Sequence, residues 1–129
     1  MRPISIDTAH TSTLVVTEAH TARVLGSGDL SVFGTPAMAA LMERAAMEAV
    51  APFLEPGESS VGTALNITHD RASGIGNTIQ ATARIIRVEG RRIDFRIEAT
   101  DLSNATTIGS GTHTRFVVDV EKFMRKIEK

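Results

Sequence analysis

An α+β architecture, one curved antiparallel sheet wrapped around a single long helix, follows from the sequence on three grounds. One run, Pro36 to Ala51, is dense in Ala, Leu, Met and Glu, all strong helix formers. Two later segments alternate apolar and polar residues with the period of a half-buried strand: Ile79, Ala81, Ala83 and Ile85, then Ile93, Phe95, Ile97 and Ala99. The connections between predicted strands are short, which makes neighbours antiparallel. One helix and one such sheet must then cover each other's apolar faces.

Taken along the chain, Leu14-Val15-Val16 reads as a first short strand, and residues 26–34 (GSGDLSVFG), with three glycines, as a loop. Thr35-Pro36 marks a helix start, with threonine as N-cap and proline at the first helical position. The helix ends near Ala51, because Pro52 disfavours the helical conformation of the residue before it, and Glu55-Pro56-Gly57 closes it. Gly62 to His69 is the next strand candidate. The two alternating strands follow, joined at Val88-Glu89-Gly90-Arg91; a turn at Ser103-Asn104 then leads into a last strand from Thr107 to Val118. EKFMRKIEK at the end forms a short amphipathic helix, with Phe123 and Ile127 four apart.

Bulk properties narrow the function. The 129 residues fit one domain, residues 1–129, and 42% hydrophobic with 22% charged residues is an ordinary globular composition. A net charge of −1 and only 5 aromatics, all Phe, leave neither a basic field nor a stacking platform for nucleic acid. The absence of cysteine excludes disulfides, thiolate metal sites and cysteine nucleophiles. Four scattered histidines give no metal-ligand spacing, so no metal is expected. No apolar leader and no run of about 20 apolar residues is present, so no membrane association is expected and the cytoplasm is the expected location.

Drawn as a wheel, the helix carries a stripe of Met38, Leu41, Met42, Ala45, Ala49 and Phe53 for the sheet. A second flank holds Ala39, Ala46, Met47 and Val50, with Glu43 in its middle. Glu43 either reaches water at the helix edge or is a carboxylate in an apolar site, where perturbed groups concentrate at functional centres. His69 is open between a structural and a catalytic histidine, and Thr35 between an N-cap and a functional hydroxyl. His10 and His20 fall in flexible N-terminal segments, and His113 is one polar residue among several on the last strand. Gly109 and Gly111 alternate on one face of that strand, as close approach of the helix requires.

The segments TPAMAALMERA, APFLEPGESSVGTALNITHDRA, VEGRRIDFRIEA and GSGTHTRFVV, followed by EKF, resemble the fluoroacetyl-CoA thioesterase-like branch of the hotdog superfamily, over residues 33 to 123. The resemblance implies a hotdog fold, a homodimer with two active sites at the subunit interface, and an acyl-CoA thioester as substrate with no further cofactor. It implies Thr35, Glu43 and His69 as the catalytic set, Gly62 touching the acyl-CoA, and Arg115 helping to bind it. Phe33 is the nearby aromatic and is carried with these two as substrate-binding. Asp29 stands where fluoroacetate-specialised members carry a lid phenylalanine, so selection of a fluorinated acyl group is expected to be weak. Hydrolysis of a short-chain acyl-CoA is the expected activity. The alternatives are a non-catalytic acyl-CoA-binding hotdog protein and a hotdog hydratase or dehydratase, although the helix offers threonine and glutamate rather than the aspartate and histidine usual in the latter.

Overall fold

A computed structural model describes residues 1–128. The strands are β1 (Ala9–Val15), β2 (Glu58–His69), β3 (Thr78–Glu89), β4 (Arg92–Asp101) and β5 (Thr106–Asp119). The helices are α1 (Ala22–Leu25), α2 (Thr35–Val50) and α3 (Val120–Ile127). The five strands form one antiparallel sheet in the order β1-β3-β4-β5-β2, so β1 and β2 are its edges.

The core sits between α2 and the inner face of the sheet. Ile79, Ala81, Ala83 and Ile85 of β3 and Ile93, Phe95, Ile97 and Ala99 of β4 are all fully buried, as the alternation predicts. Met38, Leu41, Met42, Ala45 and Ala49 of α2 close over them, while Phe53 is half-buried in a short 3₁₀ turn, Ala51–Phe53, that continues the helix past Val50. Gly109 borders this core, since a Cβ there would lie 2.9 Å from the Met38 side chain and 2.4 Å from the Thr68 carbonyl oxygen. Gly111 serves a different neighbour, the β2 backbone at Asn66 and Ile67.

Three expectations are corrected. The N-cap of α2 is Gly34, not Thr35, which is the first helical residue; the Ala37 and Met38 N–H groups both donate to the Gly34 carbonyl at 3.1 Å. A Cβ at Gly34 would sit 3.1 Å from Ala22 Cα, so the close approach of α1 selects glycine here. β1 begins at Ala9, five residues before the predicted strand, because an edge strand with the burial of only Ser12 carries little apolar alternation. His10 therefore lies in a strand, 3.2 Å from Glu48, and His20 in a 3₁₀ turn (Glu18–His20), where its Nδ1 accepts from the Thr17 N–H at 2.9 Å. The C-terminal helix forms as expected, capped by Asp119, which accepts from the Lys122 N–H at 3.1 Å; Lys129 lies outside the described residues.

Candidate active site

α2 and β2 run in opposite directions, and that arrangement creates two polar clusters. At the start of α2 and the end of β2, Thr35 Oγ1 and His69 Nδ1 are 2.8 Å apart. Freed from capping by Gly34, the threonine hydroxyl is available for this bond. Phe33 meets the His69 ring edge-on, with centroids 6.2 Å apart and planes at 75°, and is itself 1% exposed. Burial pushes the His69 imidazolium below the usual histidine range, opposed by the Arg71 backbone and the Asp70 carboxylate. A neutral imidazole at neutral pH is the form able to take a proton from a hydroxyl.

His69 Nε2 is buried and has no hydrogen-bond partner among the described residues. An open cleft lies against this pair, walled by Ala22, Ser27, Val32, Phe33 and Ala72. The segment 18–34 is folded back to make that wall: Phe33 N–H donates to the Ser73 carbonyl, Ala22 N–H to Val32, and Gly34 N–H to His20. In the first turn of α2, Pro36 has no N–H and those of Ala37 and Met38 are taken. The Thr35 N–H is left as the main-chain donor, at the helix end that favours negative charge.

The second cluster gathers Glu43, Gly62, His113 and Arg115. Glu43 Oε2 is 3.8 Å from Arg115 Nη1 and 4.0 Å from His113 Nε2, with its side chain still 42% exposed. Glu43 is thus neither a plain surface carboxylate nor a sealed one; it sits beside a buried cation at a rim. Gly62 makes the room, since a Cβ there would lie 2.7 Å from Glu43 Oε2 and 3.1 Å from His113 Cε1. Arg115 is held by β2, with Nε donating to Ser60 Oγ and Nη2 to the Ser60 carbonyl, both at 2.9 Å.

Within one chain, then, the structure brings Thr35, His69 and Phe33 together and groups Glu43 with Gly62 and Arg115. The clusters stand apart by two turns of α2, about 12 Å of rise from Thr35 to Glu43. His113 is the member that sequence reasoning passed over. Its signal was parity: it shares the inward face of β5 with Gly111 and Arg115. Among the described residues, no three His, Cys, Asp or Glu side chains are grouped to hold a metal, and no helix is long and apolar enough to cross a membrane.

The chain as a whole is similar to known proteins. Residues 16–121 match the family model described as fluoroacetyl-CoA-specific thioesterase. A fluoroacetyl-CoA thioesterase of Streptantibioticus cattleyicolor is 48% identical over 98 residues, 76% of this chain and 69% of that protein. A solved structure of the fluoroacetyl-CoA thioesterase FlK superposes with a TM-score of 0.90 at 40% identity, covering 97% of this chain and 96% of that one. A variant of it solved with acetyl-CoA gives the same TM-score of 0.90 at 40% identity, over 96% of each chain. A thioesterase superfamily member of Thermus thermophilus is 29% identical with a TM-score of 0.91, over 98% of this chain and 93% of that one.

Proposed function

The chain belongs to the fluoroacetyl-CoA-specific thioesterase family, and from that premise we infer that it is an acyl-CoA thioesterase, which hydrolyses a short-chain acyl-CoA to the free acid and CoA. The hotdog fold is shared with its solved relatives. A relative solved with acetyl-CoA supports a small acyl group as cargo.

The observation that carries the mechanism is the 2.8 Å contact between Thr35 Oγ1 and His69 Nδ1. Thr35 Oγ1 attacks the thioester carbonyl while its proton passes to His69. The C–S bond then breaks, and His69 returns that proton to the departing thiolate. The Thr35 N–H at the helix start faces the charge that develops on the carbonyl oxygen. Water gives a proton to Glu43 and adds to the resulting ester; the bond from the acyl carbon to Thr35 Oγ1 breaks, the acid leaves, and the proton passes from Glu43 to Thr35 Oγ1 to restore the hydroxyl.

Glu43 must reach that ester, and a partner subunit supplies a route. β2 is a free edge, and edges of this kind pair with other chains. Leu65 on its inner side is 37% exposed and Met47, one turn beyond Glu43, is 45% exposed, so the rim beside the edge is apolar and uncovered. Two copies paired antiparallel along β2 about a two-fold axis near Leu65 and Asn66 would set the His69 end of each strand opposite the Gly62 region of the other. The partner's Glu43 then enters the cleft of Thr35 and His69, giving two sites per homodimer. On this reading Gly62 and Arg115 act at the acyl-CoA from across the interface, and the whole chain works as one domain, proposed to be cytoplasmic.

A thiol-release assay across acyl-CoAs of increasing length tests the function: turnover is expected to be greatest for the shortest acyl groups, and binding without CoA release would overturn it. Asp29 is exposed and is not among the residues that wall the cleft, where, among the described residues, Phe33 is the one phenylalanine. Fluoroacetyl-CoA and acetyl-CoA are therefore expected to differ in kcat/KM by no more than about 10–200-fold, the range that pocket fit alone supplies.

A further inference from the structure

His113 is 2% exposed and has no part in the steps above, yet both of its ring nitrogens are engaged. Nδ1 lies 2.7 Å from the Ala64 carbonyl oxygen, an acceptor only, so Nδ1 carries a hydrogen and donates it. Nε2 lies 3.2 Å from Arg115 Nη1. A guanidinium only donates, so Nε2 must be bare and accepting. The ring is neutral with its tautomer fixed from both sides, and it stacks on Phe95 with centroids 5.8 Å apart and planes at 28°. Burial, together with the Arg115 charge, holds it below the usual histidine range against the opposing pull of Ala64 and Glu43.

We propose that His113 is a positioning residue for Glu43: its neutral Nε2 holds the Arg115 guanidinium in the one orientation that leaves an Nη1 hydrogen facing the carboxylate. Arg115 has three of its N–H groups fixed, two on Ser60 and one on His113. Of the two that remain, the one on Nη1 lies on the side of Glu43, whose Oε2 is 3.8 Å from that nitrogen. From β5 the charged and titratable groups facing Glu43 are His113 and Arg115; the β2 wall of Gly62, Thr63, Ala64 and Leu65 is uncharged. Arg115 is accordingly a buried cation that aims Glu43, and through it acts at the acyl-CoA. The inference rests on Glu43 serving the hydrolysis proposed above, but its first test does not need turnover.

His113→Phe keeps the ring and the Phe95 stack and removes both nitrogens, whereas His113→Gln restores an acceptor long enough to reach Arg115. The Arg115 guanidinium, followed by its Nε–H NMR signal in the folded proteins at one pH, is expected to leave its parent position and exchange faster with solvent in His113→Phe, and to return toward the parent position in His113→Gln. In steady-state kinetics, kcat is expected to fall about 10²-fold in His113→Phe, the order of loss that a displaced catalytic group causes, with KM little changed and kcat largely recovered in His113→Gln. Should His113→Phe not fold, His113→Asn replaces it, because it can still donate to Ala64 but cannot reach Arg115. An unchanged Arg115 signal in the folded His113→Phe protein overturns the proposal, as does a His113→Gln protein as impaired as His113→Phe. A parent protein that releases no CoA would refute the thioesterase reading alone, and the Arg115 signal would still decide the role of His113.

Discussion

At the scale of the residue, the assignments make separable kinetic demands. Glu43→Gln and His69→Ala are each expected to lower kcat by about 10²–10⁴-fold with the fold intact, the usual loss when a positioned acid or base is removed. The two should differ in kind. Glu43→Gln leaves the Thr35–His69 pair whole, so intact-mass spectrometry of that variant after exposure to acyl-CoA is expected to find the acyl group held on Thr35. His69→Ala should accumulate none, and a Glu43→Gln protein that never carries acyl would remove threonine as the nucleophile. Because burial depresses the His69 pKa, the neutral base persists below pH 6.5, so the acid limb of kcat is expected to fall below the ordinary imidazole range. Less of this proposed site was legible in residue type than in the resemblance. Only the glutamate in an apolar helix flank stood out by itself; the strand-end histidine and the helix-start threonine had equally plain structural readings, and the family resemblance joined the three. His113 did not stand out, because a polar residue on a strand becomes unusual only once the neighbouring strands show that it faces inward. Nor could helix spacing alone reveal that Glu43 points toward a different wall from Thr35.

At the scale of the element, β2 carries most of the functional geometry and little of the core. Its partner β5 is fitted to it at Gly111, where an added Cβ would lie 1.9 Å from the Asn66 carbonyl oxygen and 2.8 Å from Ile67 Cα. Backbone cannot yield as a flexible side chain does, so Gly111→Ala is expected to cost at least about 1–3 kcal/mol, the usual penalty of overpacking. Gly74→Ala, placed in open space, is the control, and equal melting temperatures for the two would refute the account. Gly62→Ala differs again: its new methyl meets the movable end of Glu43, so activity should fall much further than stability. The strands with clean alternation, β3 and β4, were read from the sequence with their inward residues correct. β1 was found only at its C-terminal end and β2 only in its C-terminal part, because an edge strand needs no continuous apolar face.

At the scale of the whole molecule, a half-buried and a buried histidine with lowered pKa values, His69 and His113, tie the fold to pH. The unfolded chain binds protons at these groups from about pH 6.5 downward while the folded chain resists. Their contribution is complete above that value and is lost as pH falls toward the folded-state pKa values, so the melting temperature is expected to drop on acidification through this window. A melting temperature that rises between pH 7 and pH 5.5 would contradict it. Sedimentation is expected to give a dimer; a species of 13.8 kDa alone at micromolar concentration would exclude the shared site. The separation of Glu43 from Thr35 and His69 along α2 also has a genetic signature. If each cleft draws on both chains, an inactive Glu43→Gln protein and an inactive His69→Ala protein should rescue one another on mixing. In a mixed dimer one cleft inherits both lesions and the other inherits neither. Random exchange of subunits would return about a quarter of the parent turnover from two dead preparations, and silence after proven exchange would assign all three residues to a single chain.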